Sequence, residues 1–149
     1  MIENSLLALH LFAVATWVGG MVFALFVLRP SLVLLPPTQR MSLHAAIFAR
    51  FFRLIWYVMP LTLGSGYILL FGVYGGFDEV SPLVHVMHGL GLAMAAVFVA
   101  IYFLPWRALR RAQAAADTVA AAAAVDRIRW LVLTNLVLGT LTIVVAAFA

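Results

Sequence analysis

Leu9-His10-Leu11-Phe12-Ala13-Val14-Ala15-Thr16-Trp17-Val18-Gly19-Gly20-Met21 lies inside an uncharged run from Asn4 to Leu28. That run has 25 residues. As a helix it is roughly 37 Å long, at about 1.5 Å per residue. A bilayer core is about 30 Å thick, so the run reads as a membrane-spanning helix. His10 is its one ionisable residue. The whole chain has the same character: its 149 residues are 66% hydrophobic and 9% charged. A water-soluble domain cannot hide that much apolar surface, so the solvent is lipid.

All nine basic residues are arginine, and the formal charge is +4. The chain has no basic tail and no basic-aromatic interleaving, which argues against a nucleic-acid partner. It has no cysteine, which excludes disulfides, thiolate metal sites and covalent c-type haem attachment. Met1-Ile2-Glu3 lacks the positive start of a cleaved signal peptide, and the first apolar run is too long for one. It is expected to stay as a helix.

The first helix is expected over about 4–28, capped by Asn4 or Ser5 and ending at Arg29-Pro30. Pro36-Pro37 breaks the chain, and Thr38 is placed to cap a new helix. An interfacial lead-in from 38 to 53 carries Arg40, Arg50 and Arg53 into a second helix over about 54–73. Pro60 is expected to kink it. Gly64, Ser65 and Gly66 permit close approach of a neighbour. Tyr74 to Glu79 is a polar turn. Ser81-Pro82, a cap followed by proline at the first helical position, opens a third helix over about 82–104. It is expected to persist past Leu104-Pro105 as a polar extension. The Ala-rich stretch from Ala114 to Ala124 favours helix. A fourth helix is expected over about 130–148. No internal repeat is visible.

The arginines sort by connection. Arg29, Arg40, Arg50 and Arg53 lie between the first and second helices. Arg107, Arg110, Arg111, Arg127 and Arg129 lie between the third and fourth. Four plus five makes all nine. The other connection and the termini carry only Glu3, Asp78 and Glu79. By the positive-inside rule both arginine-rich connections are cytoplasmic and both termini are outside. This describes an all-α, up-down-up-down four-helix bundle in a bacterial-type inner membrane, surrounded by the lipid bilayer.

His10 lies early in the first helix. His85 and His88 lie early in the third, three apart and so on one face. All three fall roughly 5 to 9 Å below the outer helix ends. Histidine is costly in lipid and tends to face the bundle interior. It is also the commonest metal ligand. These residues point to a metal centre between the first and third helices near the outer face. With two neutral imidazoles the first choice is axially ligated haem b in a redox role. Gly89, Gly20 and Ala24 leave room for a flat macrocycle, and Trp17 is placed to stack on one. Copper competes: His10, His85, Met87 and His88 offer the imidazole and thioether donors that suit Cu(I). The third reading is an accessory subunit of a larger membrane complex, its histidines only packing. His44 sits in the lead-in and reads as interfacial.

Elsewhere the arginines read as topology and headgroup contacts. The alternative is that Arg29, Arg50 and Arg53 hold an anionic group at the inner face. Thr134 and Asn135 are polar at membrane depth, which suggests an interhelical hydrogen bond, with Gly139 permitting close packing. Trp56, Trp106 and Trp130 read as interface anchors. There is no paired carboxylate within a span, no Ser-His-Asp arrangement and no phosphate loop.

Leu9-His10-Leu11-Phe12-Ala13 followed by Trp17-Val18-Gly19-Gly20 resembles the first helix of the CopD-like copper-resistance membrane proteins. Val27-Leu28-Arg29-Pro30, Ser81-Pro82-Leu83-Val84-His85-Val86-Met87 and Asn135-Leu136-Val137-Leu138-Gly139 fit the same group. The architecture is also similar to the HemJ-type protoporphyrinogen oxidases. The first resemblance implies copper uptake or handling across the inner membrane. The second implies haem b and electrons passed to quinone. His10 and His85 match the recurrent histidines of both. Both patterns carry Lys two residues after the second histidine, where this chain has Met87. A homodimer or a larger complex is compatible with either.

Overall fold

Pro82, Pro37 and Pro105 each stand at the first position of a helix, where the missing N–H would have had no intrahelical partner. These prolines set the punctuation of the chain in a computed structural model that describes residues 1–149. The elements are α1 (Ile2–Val22), a π-helical turn (Phe23–Leu28), α2 (Arg29–Ser31) and a 3-10 turn (Leu32–Leu34). They continue with α3 (Pro37–Gly72), a 3-10 turn (Phe77–Glu79), α4 (Pro82–Phe103), α5 (Pro105–Ala114) and α6 (Thr118–Ala146). There are no strands. Four helical stretches are long and apolar enough to cross a membrane: Ile2–Leu34, Pro37–Gly72, Pro82–Ala114 and Thr118–Ala146. The chain is an all-α, multi-pass membrane protein.

Several boundaries differ from those the sequence suggests. α1 starts at Ile2 with no side-chain cap, because the Ser5 hydroxyl donates back to the Met1 carbonyl instead. Helical structure does not stop at Arg29-Pro30. Arg29 and Pro30 fill the first turn of α2, where proline is tolerated. Thr38 caps nothing, since Pro36 is the N-cap of α3. α3 passes through Pro60 unbroken as a single helix of 36 residues. At about 1.5 Å per residue it is roughly 54 Å long. The lead-in and the second span are therefore one helix.

The Ala-rich stretch is helical from Thr118, but a turn separates it from α5. α5 ends at Ala114, and Ala116 takes φ 54°, the left-handed conformation of a helix C-terminus. The Asp117 N–H bonds back to the Ala112 carbonyl at 2.9 Å. Asp117 then caps α6, its carboxylate accepting from the Ala120 N–H at 2.9 Å. This cap starts α6 at Thr118, well before Trp130. Asp117→Ala is expected to cost about 1 kcal/mol, read as a lower thermal midpoint, with the first turns of α6 exchanging amide protons faster.

α1 packs mainly along α3, and α4 along α6. α5 folds back on α6, burying Trp106, Leu109 and Ala112 while Arg107, Arg110 and Arg111 face outward. α1 also meets α6 over a shorter stretch, and α3 touches α4 lightly. The centre is aromatic. Phe52 is 1% exposed and packs on Phe98, Trp106 and Phe48 with ring centroids 6.1, 5.5 and 5.6 Å away. Trp56 and Trp106 belong to this cluster, whereas Trp130 is exposed beneath the Arg129 guanidinium.

Gly139 is as the sequence suggests: a Cβ there would lie 2.9 Å from Val18 and 3.0 Å from Met94. The hydrogen bond expected at Thr134 and Asn135 is different. The Thr134 hydroxyl donates to Trp130 one turn back in its own helix. Asn135 is 2% exposed, and its side-chain oxygen has no partner. A buried acceptor left unpaired costs about 1–3 kcal/mol. Asn135→Leu, which keeps the branched outline and removes the unpaired acceptor, is expected to raise the thermal midpoint.

Candidate metal-binding residues

His10 is held by α3. Its Nδ1 lies 3.0 Å from the Thr62 carbonyl and 3.0 Å from Ser65 Oγ. A carbonyl only accepts, so Nδ1 carries the proton and donates. The Ser65 hydroxyl donates onward to the Leu61 carbonyl at 2.6 Å and so accepts from His10. This fixes the tautomer: Nε2 keeps its lone pair. An N–H···O=C contact behind the free nitrogen is the usual support of a metal-binding imidazole. Gly66 makes the approach possible, since a Cβ there would lie 3.2 Å from His10 Cε1.

His85 repeats the pattern within α4. Its Nδ1 lies 3.3 Å from the Ser81 carbonyl one turn back, again leaving Nε2 as the free acceptor. Ser81 also caps α4 as the sequence indicates, accepting from the Leu83 N–H. His88 is engaged differently. Its Nε2 faces the Tyr67 hydroxyl at 3.3 Å. Phe77 covers both rings, with centroids 5.2 Å from His85 and 5.1 Å from His88. Gly75 and Gly76 have φ of 82° and 105°, and this turn folds Phe77 back.

The residues singled out from sequence do not converge on one centre between the first and third spans. No three His, Cys, Asp or Glu side chains gather anywhere in the chain. α3 stands between the two histidine groups. Ser65 touches His10 and Tyr67 touches His88. Positions two apart on a helix point about 200° apart, to opposite sides, while differing in height by about 3 Å. The histidines are therefore near one level on opposite flanks of α3. The same rule turns Met87 away from the face that His85 shares with His88. Met87 is half-buried and His85 exposed.

The room expected for a macrocycle is taken or open to the outside. A Cβ at Gly20 would lie 2.7 Å from the Phe51 ring, so that space is filled. Gly89 is exposed, with nothing within 4 Å of the same position. Trp17 is 3% exposed and packs edge-on to Phe98 at 6.4 Å, as a core residue. The sequence alone does not single out Thr62, Ser65, Tyr67 and Phe77 as supporting residues. The Gly64-Ser65-Gly66 run was the available signal for the first two, because small residues mark close approach.

These observations meet one comparison with known proteins. The family described as CopD, copper resistance protein D, matches residues 45–149. The match takes in His85, Met87 and His88, along with most of α3, and leaves α1 with His10 outside. No curated protein and no solved structure matches the chain. The match supports a link to copper and lends no support to haem b or electron transfer, and the HemJ-type similarity is not shown. The chain is a multi-pass membrane protein of the CopD, or copper resistance protein D, family.

Proposed function

We propose that the chain handles Cu(I) as cargo in a bacterial-type inner membrane, taking it up on His10 and His85. Family membership supports copper. The observation that carries the residue assignment is the Thr62 carbonyl behind His10 Nδ1, which leaves Nε2 bare. Neutral imidazole suits Cu(I), and binding it displaces no proton. The acidic residues Glu3, Asp78 and Glu79 lie at the same end of the bundle and favour a cation there. The two imidazoles sit on opposite flanks of α3, so they act as separate stations. Met87 and His88 play lesser parts, one turned off the His85 face and the other bonded to Tyr67.

Liposomes containing the purified protein and a trapped Cu(I) indicator test this. Cu(I) entry is expected to be at least about tenfold faster than into empty liposomes. His10→Ala and His85→Ala should each remove most of the gain. Entry no faster than into empty liposomes would contradict the transport reading.

A further inference from the structure

The opposite, arginine-bearing end holds a second arrangement. A narrow cleft lies among the π-helical turn, α3 and α6. Leu28, Phe51 and Ile128 are among its apolar walls, and Arg29, His44 and Arg129 supply its polar groups. Each of the three comes from a different part of the chain, and no carboxylate lines the cleft. Asp126 pairs with Arg129 Nη2 at 2.7 Å but is 55% exposed. Arg129 Nε is buried with no partner at all. A buried guanidinium N–H without an acceptor is unfavourable, and nothing in the chain supplies one.

Ala24, Leu25 and Leu28 of the π-helical turn line the same cleft. Such turns are rare and are frequently found at functional sites. The His44 ring packs on Phe48 at 5.6 Å, which holds it at the cleft wall. The grouping of Arg29 with Arg50 and Arg53 does not hold. Arg53 lies instead in a separate, wider groove with Arg110, Trp56 and Trp106.

We propose that this cleft binds the phosphate headgroup of an anionic phospholipid, with Arg29 and Arg129 Nε as donors. The planar guanidinium fork matches phosphate geometry. The enclosed space is about 40 Å³. Roughly 10–15 Å³ holds one water, so the cleft takes a phosphate-sized head and not a whole lipid. Of the 14 lining residues, 11 are hydrophobic. Those walls offer nothing to a hydrated free anion, whereas a headgroup arrives with its acyl chains already along the bundle.

The thermal midpoint of the detergent-purified protein tests this, measured with added phosphatidylglycerol, phosphatidylcholine or sodium phosphate. Phosphatidylglycerol is expected to raise the midpoint and the other two are not. Arg29→Gln/Arg129→Gln should weaken the response to phosphatidylglycerol at least about tenfold, as expected for losing charge-assisted hydrogen bonds. Arg53→Gln/Arg110→Gln should respond like the parent. Arg129→Lys, which keeps the charge and loses Nε, should weaken the response several-fold and serves if the double variant does not fold. A parental response from either Arg129 variant would overturn the site. Equal stabilisation by sodium phosphate would overturn the lipid as its occupant.

Discussion

Gly139→Leu is expected to be the most damaging single substitution in the chain, with a loss of about 3 kcal/mol or more. The reason is where the new side chain would go. Even a Cβ at this position would lie 2.9 Å from Val18 Cγ2 and 3.0 Å from Met94 Cε. Met94 is unbranched and can move its terminal methyl. Val18 is branched at Cβ and stiff, so it cannot. α1 or α6 would have to move, at the place where the α1–α3 pair meets the α4–α6 pair. Small residues at such crossings are what let membrane helices approach. Gly64→Ala is the control, because a Cβ there meets nothing within 4 Å. It should leave the thermal midpoint unchanged or slightly higher. Thermal unfolding in detergent checks both.

Gly66→Val is expected to damage Cu(I) binding while leaving the fold intact. A Cβ at Gly66 would lie 3.2 Å from His10 Cε1 and 3.6 Å from Nδ1. A branched side chain must push the ring away from Thr62 and Ser65. The Nδ1–H bonds would then be lost, and with them the fixed direction of Nε2. Disturbing the support of a metal-binding histidine typically costs 10- to 100-fold in affinity, and about that loss is expected here. The half-buried imidazole sits near the helix end and not in the central cluster, so the thermal midpoint should fall only slightly. Ser65→Ala removes one of the two acceptors and should have a smaller effect in the same direction. Competition with a Cu(I) chelator reads both.

The spans were legible because they rest on length and hydropathy, which lipid imposes directly. Ser81-Pro82 was legible because a cap and a first-turn proline act locally. The start of α6 was not, since Asp117 sits inside an alanine run that favours helix on both sides. Only the reversal at Ala116 makes Asp117 a cap. The histidines were legible as unusual residues at one level. Their partners were not, because the α1–α3 pairing is a tertiary choice. Apolar faces of similar hydropathy do not say which helix each will meet, and α1 pairs chiefly with α3, not α4. Asn135 shows the same limit. Its polarity at depth was plain, but its lack of a partner depends on what surrounds it.

The most direct measurement of the copper assignment is Cu(I) titration of the detergent-purified protein against a competing chelator, beside His10→Ala and His85→Ala. The expected result is two Cu(I)-binding events in the parent, one of which is lost or weakened at least about tenfold in each variant while the other persists, with unchanged thermal midpoints. Absence of Cu(I) binding by the folded parent, or affinities that neither variant alters, would contradict it.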